Sequence, residues 1–153
     1  MREWFAEYLE ACNRHDLDAL RSLIDPAVRR AHLPGGIDAW ISDLADLHAA
    51  FPDWRVRRIL LVVEEDRVAA HLRSSGTHTG SFHGIAPTGR HANVAEFAFY
   101  RLAHGRITEF TGSADSELLA QISTRGRSQG CRDEPEGRHP HEAPVVRSQR
   151  WLA

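Results

Sequence analysis

Two side chains in the stretch "HANVAEFAFYRLA" have the types needed for acid–base chemistry. On a strand of period two, Glu96, Ala98 and Tyr100 share one face, and Phe97 and Phe99 take the other. A carboxylate facing a pocket can take a proton from an activated carbon, and a phenol can donate to the oxyanion that develops. At a rim, Glu96 would instead pair with an arginine. Asp115 stands at the start of "SELLAQI", where a carboxylate either caps a helix or faces a pocket. His71 and Arg73 share a face of "VAAHLRSSG", opposite Val68, Ala70 and Leu72. If that face is inward, the pair orients a carboxylate or activates a water with Glu96. If it is outward, the pair decorates a solvated surface.

The stretch "GTHTGSFHGIAPTGR" carries glycines and two histidines and admits three readings. A phosphate cradle needs glycines before a helix N-terminus, usually with a lysine. The chain contains no lysine, and this segment leads into a strand pattern. A metal needs three or four convergent ligands, and His78 and His83 lack a convincing third. Turn geometry remains: Gly80, Gly84 and Gly89 permit positive φ, and Pro87 stiffens the crossing. Contact of His78 or His83 with a ligand stays open. No nucleotide, metal or other cofactor is expected.

These residues must be held by elements that the periodicity supplies. Trp4, Phe5, Tyr8, Leu9 and Cys12 form one apolar face of a helix. Asp16 caps a second, "LDALRSLI", with Leu17, Leu20, Leu23 and Ile24 inward and Pro26 ending it. Ile37, Trp40, Ile41, Leu44, Leu47 and His48 make the stripe of a third helix, stopped by "FPD". The period then changes to two. "WRVRRILLVV" alternates early and turns wholly apolar late, as a strand covered on both faces does. "EEDR" and His104-Gly105 read as hairpin turns. Helices followed by antiparallel strands give an α+β fold. A curved, mainly antiparallel sheet wrapped round N-terminal helices makes a cone whose hollow suits a small apolar ligand.

At 153 residues the chain is long enough for one well-buried domain, and a formal net charge of −2 argues against a general nucleic-acid surface. The longest aliphatic run, Ile59–Val63, is too short to span a bilayer. "MREWFAEYLE" does not read as a signal peptide, and Cys12 and Cys131 are few and distant, so a reduced cytoplasmic protein is expected. From Ser123 onward the composition turns to Arg, Gly, Pro, Ser and His without apolar periodicity. Residues 123–153 are therefore expected to be a disordered tail, and His139 and His141 within it make a poor metal site.

"AAFPDWRV", "EEDRVAAHLRSSGTHTGSFHGIAPTGR" and "FYRLAHGRITEF" resemble, in order and spacing, the SnoaL-like polyketide cyclases of the nuclear transport factor 2-like superfamily. That superfamily also holds ketosteroid isomerase and limonene epoxide hydrolase. The resemblance covers residues 1–122, and its most specific piece is Gly76–Gly80 followed by Pro87–Arg90. It implies ring closure by intramolecular aldol condensation without metal or nucleotide, with a pocket carboxylate as base. Carried onto this chain, the family's acid/base Asp falls on Gly112 and its second polar position on Ala98. A further family carboxylate matches as Asp115. Both acid/base positions thus hold residues without chemistry. The resemblance turns Ala98, and with it Glu96 and Tyr100, toward the hollow. Glu96 then becomes the base, with Tyr100 as oxyanion donor. His32 falls near a polar pocket position of the family, and Trp40 and Trp54 belong to the wall or the core.

The expected activity is cofactor-independent cyclisation or isomerisation of a small hydrophobic, polyketide-type intermediate in secondary metabolism, such as antibiotic biosynthesis. An epoxide-hydrolase-like reaction is one alternative, and a non-catalytic pocket for a small hydrophobic ligand is another. The cone is expected to form a homodimer.

Overall fold

The computed structural model describes residues 1–112 and 114–123. Apart from Ser123, the expected tail, with Cys131, His139 and His141, lies outside the described residues. The chain opens with helices α1 (Arg2–Arg14) and α2 (Leu17–Leu23), then strand β1 (Ile24–Arg30) and helix α3 (Ile37–Ala50). Strands β2 (Arg55–Glu64), β3 (Arg67–Thr77), β4 (His91–Ala103) and β5 (Arg106–Thr111) follow, and then helix α4 (Asp115–Ser123). The five strands form one curled, unclosed sheet in the order β1-β5-β4-β3-β2. β1 runs parallel to β5, and the other neighbours pair antiparallel. This is the α+β architecture expected from the sequence.

The helices form where periodicity puts them. Phe5, Tyr8, Leu9 and Cys12 of α1 are buried against the sheet, and the helix ends at His15 in the left-handed conformation. Asp16 caps α2 through Oδ1, which accepts from the Ala19 amide. Trp40 and Ile41 of α3 are buried in the same core. Two-residue turns join β2 to β3 at Glu65-Asp66 and β4 to β5 at His104-Gly105. In the second turn both residues have positive φ (51° and 74°), as a tight hairpin following sheet twist requires.

The structure departs from the sequence expectation in two elements. Three consecutive helices were expected, but β1 intervenes, and Ile24 pairs with Ile107 instead of extending α2. Pro26 is tolerated because it lies on the sheet edge, where the register shifts between Ile24 and Arg29. β2 was expected to be covered on both faces. It is instead the opposite edge, with Leu60 and Val62 more than half exposed. A bulge between Arg58 and Leu60 turns Leu61 inward and Leu60 and Val62 outward, which explains the unbroken apolar run.

One core lies between the helices and the inner sheet face, built on Phe5, Leu20, Ile24, Val68, Leu72 and Ile107. A second gathers Phe51, Trp54, Phe82, Val94, Leu118 and Ile122. The cavity described next takes its walls from both. Among the described residues no helix is long and apolar enough to cross a membrane.

Candidate functional site

A cavity of about 620 Å³ opens between the inner face of the sheet and helices α1, α3 and α4. β4 sets its chemistry by alternation. Glu96 and Tyr100 pair across to Leu72 and Val68, residues whose side chains point into the core, so both turn inward. α1 brings Tyr8 and Cys12 to the same wall, and Asp115 lines it from the first turn of α4. Aromatic rings form a continuous strip along the wall. Trp40 lies 4.8 Å from Phe110, Phe110 lies 5.3 Å from Tyr100, and Tyr100 lies 5.7 Å from Tyr8, centroid to centroid.

Burial, with Asp115 nearby, pushes the Glu96 carboxyl up to about 7. Among the described residues Glu96 makes no ion pair with an arginine. Desolvation also raises Tyr8 and Tyr100 well above the ordinary phenol range, and the Cys12 thiol to about 12. Near neutral pH the site therefore holds a carboxyl close to its midpoint, beside hydroxyls that keep their protons. That combination serves a general base with neutral donors for an oxyanion.

The wall beyond Trp40 is different. Arg30, the last residue of β1, has a side chain only 2% exposed. Its Nε donates to the Pro34 carbonyl at 2.8 Å, and Nη1 pairs with Asp43 Oδ2 at 2.7 Å. Nη2 has no partner. The guanidinium lies over Trp40, 5.7 Å from the ring centroid. His48 of α3 stacks on His15 at 3.8 Å, and its buried Nδ1 has no hydrogen-bond partner among the described residues. Desolvation and the neighbouring His15 pull His48 down to about 4, so it is neutral over most of the pH range.

Of the residues singled out from the sequence, Glu96, Tyr100, Asp115, Trp40, Trp54, His83 and Gly112 line the cavity. Five others do not. His71 and Arg73 lie on the outer face of β3, where His71 stacks on Phe97 at 4.4 Å, so Arg73 cannot assist Glu96 from there. Strand alternation that turns Leu72 inward necessarily turns both of them out. His32 is exposed in the turn after β1, with φ 62°, and the polar residue that does reach the cavity is Arg30, two residues earlier. Ala98 faces inward but packs against the backbone at Gly112. A Cβ on Gly112 would sit 2.9 Å from Ala98 Cα and 3.0 Å from its Cβ. The two small residues therefore close on one another.

His78 is fully buried under the crossing between β3 and β4 and is not part of the cavity wall. Its Nδ1 accepts from the Thr88 amide at 3.3 Å and lies 3.0 Å from Thr88 Oγ1. Its backbone amide donates to the Arg90 carbonyl, and its carbonyl accepts from the Gly89 amide. His78 thus organises the glycine-rich crossing from inside. The same crossing turns at His83-Gly84 and presents Ser81, Phe82 and His83 to the cavity.

Sequence reasoning missed Arg30, Tyr8 and His48 as cavity residues. Tyr8 and His48 were placed only on helix stripes, and Arg30 sits on the strand that Pro26 concealed. The spacing of Val28 and Arg30, two apart and both buried, was the signal available. Among the described residues no three His, Cys, Asp or Glu side chains converge as a metal-ligand set.

Comparison with known proteins agrees with this fold. IdmH of Streptomyces antibioticus, described as a candidate polyketide cyclase, is 31% identical. The match covers 80% of this chain and 98% of IdmH, with a TM-score of 0.68. A candidate SnoaL-like polyketide cyclase from Jannaschia Sp. CCS1 is 25% identical, covering 81% of this chain and 92% of its own, at a TM-score of 0.72. AclR of Streptomyces galilaeus, a candidate hydroxylase, shares the fold at 23% identity and a TM-score of 0.71, over 79% of this chain and 93% of its own. No match is found among curated proteins. The SnoaL-like polyketide cyclase family model matches residues 3–122, and the chain belongs to that family.

Proposed function

We propose that this chain is a cofactor-independent enzyme of secondary metabolism that takes a proton alpha to a carbonyl in a small hydrophobic, polyketide-type intermediate. The observation that carries this reading is Glu96, an inward carboxyl raised to about 7 beside protonated phenols. The Glu96 carboxylate accepts the alpha proton, and the electron pair of the C–H bond moves onto the carbonyl oxygen as an enolate. Tyr100, which accepts from the Tyr8 hydroxyl, holds its own neutral hydroxyl at that wall to donate to the enolate oxygen. The enolate carbon then bonds to a second carbonyl carbon of the same chain, and protonated Glu96 returns its proton to the new alkoxide. Isomerisation differs only in returning the proton to another carbon. No oxidant or outside reductant is needed.

The test is alpha-proton exchange into deuterated water with enolisable aromatic β-dicarbonyl compounds, comparing wild type with Glu96→Gln. A general base contributes about 10²–10⁴-fold, so exchange should fall by at least about a hundredfold while affinity is kept. Equal exchange in the variant removes Glu96 as the base.

A second reading, a non-catalytic pocket for the same ligands, draws on the close packing of Gly112 on Ala98, which leaves no side chain at either position. Binding by the wild type without exchange or ring closure would favour it.

The working form proposed is a homodimer joined through the outer sheet face. Leu60, His71 and Phe97 lie in one cross-strand row there, and Val62, Ala69 and Phe99 lie in the next. Phe97 and Phe99 are 67% and 60% exposed, a contiguous apolar surface of the kind that partners cover.

A further inference from the structure

We infer that Arg30 forms a subsite for one planar oxyanion of the ligand, a carboxylate or the enolate of a β-dicarbonyl. The inference rests on reading the cavity as a ligand site, but it does not depend on Glu96 being the base. A guanidinium offers five N–H donors in a fixed plane. Arg30 uses Nε on Pro34 and Nη1 on Asp43, and among the described residues Nη2 is left without a hydrogen-bond partner, in a side chain almost wholly buried. A buried donor left unpaired is costly, and an anionic oxygen is the partner that answers both its hydrogen bond and its charge. The Pro34 bond and the stacking over Trp40 hold the fork in place before any ligand arrives.

The remaining charges restrict where that oxyanion can lie. Among the described residues Arg30 is the only Lys or Arg that lines the cavity, and Asp43, Asp46, Glu96 and Asp115 line it too. Glu96 and Asp115 disfavour an anionic group at their own end, and with Asp43 already paired to Arg30 Nη1 the Nη2 group is the cationic donor left for it. The strip Trp40, Phe110 and Tyr100 connects the two ends with ring faces. A flat conjugated ligand lying along it places its oxyanion at Arg30 and its acidic carbon toward Glu96.

Isothermal titration of the full chain with naphthoate and with its neutral amide tests the carboxylate form. Benzoylacetone, titrated below and above its own ionisation, tests the enolate form. The wild type should bind naphthoate, or ionised benzoylacetone, at least about tenfold tighter than the matched neutral species. Arg30→Met should abolish that preference and leave naphthamide affinity unchanged. Asp43→Asn should widen it, because Nη1 loses its competing carboxylate. Glu96→Gln should preserve it, so loss of exchange with preference intact separates the base from the subsite. Equal affinity for charged and neutral probes in the wild type overturns the inference, as does a preference that survives Arg30→Met. If Arg30→Met does not fold, a preference unmoved by Asp43→Asn overturns it instead.

Discussion

Glu96 combines a catalytic opportunity with a cost in stability. Its carboxyl ionises near 4.5 in an unfolded chain and near 7 in the folded protein. Between those values the folded state keeps a proton that the unfolded state has lost, so stability falls as pH rises through the window and stays lower above it. Glutamine carries no such proton. Glu96→Gln should therefore melt with the wild type below pH 4.5 and be more stable by about 1–3 kcal/mol above pH 7. Calorimetry at both ends measures this, and His48 cancels because both proteins contain it. A variant less stable than wild type at high pH would contradict the burial account. Glu96 and Tyr100 were legible because period two is a strong signal in β4, and one inward residue sets the orientation of the others. Arg30 was not legible, because its inward direction depends on a strand that a proline made look like the end of a helix.

At the level of elements, the glycine-rich crossing shapes the site and brings Ser81, Phe82 and His83 to the cavity. The amides of Thr79 and Gly80 both donate to the Ala50 carbonyl at the end of α3, tying that helix to the cavity mouth. Gly80 lies so close that a Cβ there would meet Ala49 O at 2.5 Å and Ala50 Cα at 2.8 Å. Backbone atoms cannot swing aside, so Gly80→Ala should lower stability by about 1–3 kcal/mol, read as a shift in urea midpoint. An unchanged midpoint would mean that the crossing yields freely. Helices α1 to α3 and the two short hairpin turns were readable because their periods and turn residues agree locally with the fold. The run in β2 misled because an apolar segment looks the same whether a second layer covers it or a bulge splits it between a core and an open outer face.

At the scale of the whole molecule, the outer sheet face is left uncovered among the described residues. Phe97 and Phe99 stand in line with Leu60 and Val62 on the outer sheet, away from the cavity. If two copies join there, Phe97→Glu with Phe99→Glu should convert a dimer to a monomer by light scattering while Glu96 chemistry continues. A wild-type monomer, or a double variant of unchanged mass, would contradict this arrangement. The fold itself was readable at this scale because helices followed by hairpins, with a glycine-rich crossing, leave few ways to wrap a sheet. The ligand was not readable, because the polar groups that line the cavity are brought together from β1, α1, β4 and α4. The most direct test of the central claim is the pH profile of alpha-proton exchange, followed as kcat/KM, which reports the free enzyme. Wild type should rise with pH through a single ionisation near 7, and Glu96→Gln should lose both that limb and at least about a hundredfold of rate. The same limb persisting in Glu96→Gln would show that another group takes the proton.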